Sequence, residues 1–399
     1  MSGEKIYEGV FAVNKPQGIS SAQVIRELQK HFNPSKTFRP WIEDEREKRL
    51  QDPNVRRRRK SKRVDVKIGH GGTLDPLATG VLIAGLGKGT KELPGFLGCT
   101  KTYEAILLFG AETDTYDRVG KVVKKAPYEH ITREAVEKAL ANFRGNIMQK
   151  PPIFSALRVQ GKRLYDYARE GIEPPVEIVK RPVEVSNLEI VEWYEGGEHP
   201  YTWPEEELAG EEKAVAERML AKDVTPEPEP EPKQASEQEE TKATEQPTEQ
   251  PPEESTSKEQ STTTTSKRKP SQSPPAAEPS TSTTDPSAAP PSPKRQKTSP
   301  GPTQPTAPPP STSLPPAVKL TMTVSSGFYV RSLCHDLGKA VGSCGLMSEL
   351  VRSRQADFEL GEGKVLEFED LEKGEEVWGP KVTRFLDEWV KRKGEGEGE

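Results

Sequence analysis

Cysteine is scarce in this sequence: three among 399 residues, at Cys99, Cys334 and Cys344. Three scattered thiols cannot make a disulfide framework or a four-ligand zinc site, and their scarcity points to a reducing intracellular compartment. Long apolar runs are missing too. Nothing approaches the roughly 20 residues of a membrane helix, and the opening MSGEKIYEGVF has neither the apolar core of a secretion signal nor the acid-free character of a transit peptide. Aromatic residues are absent from one whole stretch, between Trp203 and Phe328.

That stretch instead holds 23 of the 38 prolines, from Pro226 to Pro316, among Ser, Thr, Glu and Gln. Such a composition cannot bury enough apolar area to offset the entropy of ordering it. Residues 204–316 therefore read as a low-complexity insert, with a short helix over 205–223 and disorder from about 224 onward. On its flanks, Val183, Val185, Leu188 and Ile190 read as a strand with a phase slip near Asn187, while Val318, Leu320, Met322 and Val324 alternate strictly. Two strands facing each other across a turn can carry a long insertion, because closure entropy grows only logarithmically with loop length.

The net charge of −5 suggests no affinity for nucleic acid, but the average conceals two halves. Residues 205–297 hold 20 acids and 12 bases, which leaves the remainder at +3. Its bases concentrate at Arg56, Arg57, Arg58, Arg59, Lys60, Lys62 and Arg63. This run closes a candidate second insertion over 31–65, read as a flexible solvated segment or as a phosphate-contacting or nuclear-import signal. Within the insert, KRK (267–269) and PKRQK (293–297) carry the same two readings. Elsewhere the pattern predicts a strand over 101–109 and helices over 132–143, 330–342 and 382–393. Strands and helices mix without a βαβ rhythm, which favours α+β over a doubly wound sheet.

One short stretch concentrates chemical interest: GHGGTLDPLATG, from Gly69 to Gly80, with Asp75 as its lone acid. The bland reading makes Asp75 a helix cap, with Pro76 opening the helix. The neighbouring GLGKGTK (85–91) is no Walker loop, since Lys88 is followed by Gly89 and the first glycine is missing. Cys334 and His335 lack further ligands at metal-binding spacing.

GHGGTLDPLATGVLIAGLGKGTK resembles the catalytic segment of the TruB-type pseudouridine synthases, with its G-x-LDP-x-x-TG run. Four more stretches in the same order resemble that family: NKPQGISSAQV (14–24), KTYEAILLFGAETDTYDRVGKVV (101–123), PPIFSALRVQGKRLYDYAREGIE (151–173) and GFYVRSLCHDLGKAVG (327–342). The resemblance implies a pseudouridine synthase catalytic fold: a mixed, mainly antiparallel sheet flanked by helices and loops around an RNA-binding cleft. It covers 1–203 plus 317–370, leaving 371–399 as a short helix and an acidic Gly/Glu tail, too short for a PUA domain or for the small C-terminal domain of bacterial members.

The same resemblance implies roles for individual residues. Asp75 is the carboxylate that attacks carbon, Tyr103 stacks on the target base, and Arg331 pairs with Asp75 in a charge-assisted fork. Tyr329, two residues before Arg331, shares its face if that segment is a strand. His70 stands beside the extruded nucleotide, Leu350 lines the pocket, Lys15 positions the loop within the RNA-contacting set, and Tyr165, Lys162 and Arg163 meet the RNA. The implied partner is the T-arm of tRNA, with some mRNA, and the implied product is pseudouridine at the T-loop uridine, position 55. No cofactor, metal, membrane or guide RNA is implied, the insert is left to unidentified proteins, and the nucleus, mitochondrion and cytoplasm are the implied locations. Two alternatives stay open: an RNA-binding or tRNA-folding module of the same fold, and a guide-dependent synthase of the dyskerin branch.

Overall fold

A computed structural model describes residues 4–51, 63–221 and 314–396. The disorder expected from about 224 to 316 falls almost wholly outside these residues, as do 56–62 of the basic run and both basic clusters of the insert. The strands are β1 (Gly9–Lys15), β2 (Ile68–His70), β3 (Thr79–Leu86), β4 (Lys101–Phe109), β5 (Ala111–Thr113), β6 (Val122–Lys125), β7 (Gly145–Gln149), β8 (Arg158–Val159), β9 (Lys162–Arg163), β10 (Arg181–Tyr194), β11 (Ala317–Val324), β12 (Gly345–Gln355), β13 (Phe358–Glu359) and β14 (Leu366–Glu367). The α-helices are α1 (Ser21–Phe32), α2 (Arg39–Gln51), α3 (Leu93–Gly98), α4 (Arg133–Leu140), α5 (Leu164–Arg169), α6 (Gly210–Ala221), α7 (Val330–Ala340) and α8 (Glu375–Gly396).

Ten of the strands form one sheet in the order β14-β1-β3-β12-β4-β11-β10-β7, with β2 beside β3 and β13 beside β12. Among the described strands of this sheet, only β1/β14 and β3/β12 pair in parallel. The expected mixed, mainly antiparallel architecture is therefore present. β3 (TGVLIAGL) is buried along nearly its whole length, as suits a continuous apolar run in the middle of a sheet. Its register explains where the glycine-rich loop emerges. β1 pairs along one edge of β3, while the other edge is shared: β2 meets Ala84–Leu86 and β12 meets Thr79 and Gly80. The loop from β2 to β3 fills the gap between these two partners.

The strands flanking the insert pair antiparallel, Val324 opposite Val185 and Ala317 opposite Tyr194. A register shift between Val185 and Asn187 accounts for the phase slip in the sequence. Of the candidate insertion over 31–65, the first half is not a peripheral loop. Phe38, Trp41 and Ile42 are buried in one core with Phe32, Trp378 and Phe385, so α2 is a structural helix packed near α1 and α8. Its charge-rich sequence hides three aromatic and aliphatic anchors at one end. A second core joins β4, β10, β11, α4 and α7. Leu74, Leu77 and Ala78 of the glycine-rich loop belong to that second core, and each buried leucine is worth about 2 kcal/mol against leaving it in water.

Candidate active site

Asp75 does not cap a helix. No helix follows Pro76; the Asp75 carbonyl instead accepts the Ala78 N–H at 3.1 Å, closing a turn that leads directly into β3. The carboxylate is consequently free to face outward, with its side chain 36% exposed. Four buried side chains hold the surrounding backbone. Ser21 Oγ donates to the Leu74 carbonyl at 3.1 Å and accepts its N–H at 2.8 Å. Lys15 Nζ donates to the carbonyls of Pro16, Pro76 and Ala78 at 2.9, 3.2 and 2.6 Å. Arg352 Nε donates to Val81 at 2.7 Å, and Gln355 Nε2 to Gly71 and Phe96 at 2.6 and 2.9 Å. Buried carbonyls satisfied by side chains replace the ladder that a glycine-rich loop lacks.

Gly80 makes this arrangement sterically possible. Its φ is +96°, and a Cβ there would lie 2.3 Å from the Arg352 carbonyl oxygen. Only glycine permits both the backbone conformation and the close approach of β12.

Behind Asp75 stands Arg331, only 6% of its side chain exposed. Nη2 donates to Asp75 Oδ1 at 3.2 Å and Nε lies 2.9 Å from Oδ2, less well aligned for a hydrogen bond. This is the pairing expected of these two residues. The remaining donors go to the carbonyls of Thr115 and Phe154, each at 2.9 Å, and the Asp117 carboxylate lies 3.8 Å from Nε. Burial pushes the Asp117 carboxyl up, opposed by the Arg331 charge. Burial likewise pushes Lys15 down to about 8, with Asp75 pulling it the other way.

Arg331 is not on a strand. Tyr329 is the N-cap of α7 and Arg331 lies in its first turn, so the period-two argument for a shared face does not hold. A cation at a helix N-terminus opposes the helix dipole, and Asp75 and Asp117 offset it. Tyr329 is fixed through its backbone: Gln149 accepts its N–H at 2.8 Å and donates to its carbonyl at 3.0 Å.

Tyr103 and Leu350 are both buried, in the core that contains Leu74 and Leu77 on either side of Asp75. Lys15, grouped with the RNA-contacting residues as a positioner of the loop, is fully buried and does hold the loop, with no exposed surface for a phosphate. His70 ends β2 at the start of the loop, partly buried, with burial lowering its pKa and leaving it neutral near pH 7. Lys162, Arg163 and Tyr165 lie apart from this frame, on the β8–β9 hairpin and α5. Lys162 pairs with Glu170 and lies 4.6 Å from the Tyr167 ring, while Arg163 and Arg169 lie 5.4 and 5.0 Å from the Tyr165 ring.

No role is read from the sequence for Asp117, Ser21, Arg352 or Gln355. Ser21 and Asp117 do lie within two of the stretches that carry the resemblance, 14–24 and 101–123. Arg352 has a readable signal: with Leu350 it occupies the same face of an alternating strand, an inward-facing position for a charge. Gln355 has none.

Two family models match the sequence. "TruB family pseudouridylate synthase (N terminal domain)" matches residues 57–201, and "tRNA pseudouridylate synthase B C-terminal domain" matches 331–391. The second match runs through α8, over the segment whose shortness suggested a departure from bacterial members. The chain is similar to tRNA pseudouridine synthase 4 of Schizosaccharomyces pombe, 41% identical over 368 residues, covering 91% of this chain and 82% of that protein. It is also similar to tRNA pseudouridine synthase 4 of Saccharomyces cerevisiae, 30% identical over 397 residues, covering 95% and 85%. With human pseudouridylate synthase TRUB1 it shares 40% identity over 186 residues, 46% of this chain and 48% of that one.

Proposed function

The chain belongs to the TruB family of pseudouridine synthases, and from that premise we propose that it isomerises the T-loop uridine of tRNA, position 55, with Asp75 as the catalytic carboxylate. The observation that carries the assignment is the frame around Asp75: a partly exposed carboxylate, in a loop held by four buried polar side chains, with a buried guanidinium at its back. An acid with no chemical task would be a wasteful choice for the centre of such a frame, since Arg331 is desolvated to meet it.

Pseudouridine formation breaks the bond between N1 and the ribose carbon, turns the base, and joins C5 to that carbon, with the C5 proton lost and a proton gained at N1. Substrate and product have the same atoms and the same oxidation level, so neither an oxidant nor an energy donor enters the balance. A carboxylate can attack carbon on the base or the sugar and stabilise positive charge that develops on the ribose. Arg331 holds that carboxylate side-on. Tyr103 offers its ring to the extruded base, and His70, neutral and beside the loop, supports the opened stack. Lys162, Arg163 and Tyr165, exposed or half-exposed on the hairpin and α5, meet the RNA backbone. Base selection comes from the folded T-arm without a guide RNA.

The test uses purified wild type and Asp75→Asn with an unmodified tRNA transcript, and maps pseudouridine by a base-specific chemical probe. We expect product at the T-loop uridine from wild type alone, with Asp75→Asn still binding the transcript. Product from Asp75→Asn would remove the carboxylate from the mechanism. Tight binding by both proteins without product would favour the RNA-binding module.

A further inference from the structure

We propose that Tyr116 and His335 are positioning residues for the Arg331–Asp75 pair: their buried ring stack sets the turn that holds the Arg331 guanidinium. The inference rests on the reading of Asp75 as the catalytic carboxylate. It concerns a cluster outside the loop, made by Tyr116 and by the next turn of α7 after Arg331.

Arg331 depends on a turn. Thr115 gives it a carbonyl at 2.9 Å and Asp117 a carboxylate at 3.8 Å, and the residue between them, Tyr116, has φ +64°. A bulky side chain rarely takes that left-handed conformation, so the surroundings must impose it. Part of the constraint is polar. Thr113 Oγ1 donates to the Asp117 carbonyl at 2.7 Å and Thr115 Oγ1 to the Asp117 carboxylate at 2.9 Å. The Tyr116 carbonyl accepts the Met347 N–H at 2.9 Å, and Arg118 donates its N–H to the Met347 carbonyl at 3.0 Å.

The other part is the ring. Tyr116 is 4% exposed and His335 1%, and the two rings stack with centroids 3.9 Å apart and planes 16° from parallel. Val123 and Leu220 of α6 pack against Tyr116 in the same small cluster. His335 lies four residues after Arg331 on α7, one turn along the same face. Helix and turn therefore meet at two successive points: Arg331 against Thr115 and Asp117, and His335 against Tyr116. With the second point fixed, the first has one spacing available to it.

The chemistry of His335 shows which property is used. Neither ring nitrogen has a hydrogen-bond partner among the described residues, and Glu112 Oε2 is 3.6 Å from Nδ1, beyond hydrogen-bond reach. Burial lowers the imidazole to about 3 and raises the Glu112 carboxyl. The ring is thus neutral at working pH, and what Tyr116 meets is a flat surface. A phenylalanine supplies the same surface without unmet nitrogens, whereas alanine removes it. Tyr116→Gly makes a complementary cut: it deletes the ring while relieving the backbone of its positive-φ penalty.

The experiment compares full-length wild type, His335→Phe, His335→Ala and Tyr116→Gly by three readouts. These are single-turnover pseudouridine formation on a tRNA transcript, affinity for that transcript, and the Nε–H resonance of Arg331 in protein with 15N-labelled arginine, assigned with Arg331→Lys. His335→Phe should keep rate and resonance within about twofold of wild type. His335→Ala and Tyr116→Gly should lower the rate on the order of tenfold, with affinity changed less than twofold and faster exchange of the Arg331 proton. Unchanged rate and exchange in both would overturn the proposal, as would loss of rate and affinity together with the Arg331 resonance undisturbed. If His335→Ala does not fold, Tyr116→Gly decides alone. Should wild type form no pseudouridine, the functional reading fails, and the Arg331 resonance still decides whether the stack positions the guanidinium.

Discussion

The glycine-rich loop over 69–80 and the segment over 151–171 both belong to the candidate site, yet they are held by opposite means. Buried groups define the first: Lys15, Arg352 and Gln355 direct their donors to its carbonyls and those beside it, and Leu74 and Leu77 anchor it in the core. Surface contacts define much of the second, among them Lys162 with Glu170 and two arginines over the Tyr165 ring. Exposed ion pairs contribute little to stability, whereas buried donors missing a partner are strongly destabilising. The contrast separates two tasks. A reacting carboxylate must be preorganised to fractions of an ångström, while a surface that grips folded RNA can adjust. One side chain joins them: Arg331 Nη2 donates both to Asp75 and to the Phe154 carbonyl of the second segment, while Nη1 donates to Thr115.

The strongest attack on the contrast is Gly80→Ala. It forces a Cβ to within 2.3 Å of the Arg352 carbonyl at φ +96°, and we expect a loss of about 3 kcal/mol in denaturant unfolding together with loss of pseudouridine formation. A stable, active variant would show the loop to be far more yielding than its packing implies.

A smaller effect follows from Lys15. Its folded pKa, near 8, is below the unfolded value of 10.5, so between these two the unfolded chain holds a proton that the folded one has released. The contribution of this group to stability therefore rises with pH across that window and is flat below it. Thermal unfolding of wild type and Lys15→Met from pH 7 to 10 should diverge in favour of wild type above pH 8; parallel profiles would mean that Lys15 stays protonated.

The smallest effect on the fold is expected at Lys162 and Arg163. Changing both to alanine should leave the unfolding temperature unmoved, weaken tRNA binding, and flatten the dependence of log affinity on log salt by about one for each phosphate that is no longer neutralised. An unchanged slope would take both residues out of the RNA interface and leave the hairpin without an electrostatic role.

Much of this molecule is legible in its sequence, though unevenly. The strand over 101–109 and the helices near 132–143 and 330–342 follow from periodicity, and the bulge beside Asn187 announces itself as a slip in alternation. α2 is hidden because its anchors, Phe38, Trp41 and Ile42, precede a long charged run. At the site, Asp75 and Arg331 can be paired by resemblance and Lys15 read as positioning the loop, but that its ammonium is sealed beneath the loop on three carbonyls is visible in the structure alone.

Sequence by itself determined which residues are candidates for chemistry and which stretch has little apolar area to bury, because side-chain identity and composition are local properties. Tertiary structure decided what each residue faces. Asp75 is an open carboxylate and not a cap because β3 begins where a helix would have to, and Arg331 reaches it from 256 positions away because α7 is docked by Gln149 and by the Tyr116–His335 stack. Such placements depend on contacts between distant segments, and no local pattern encodes them.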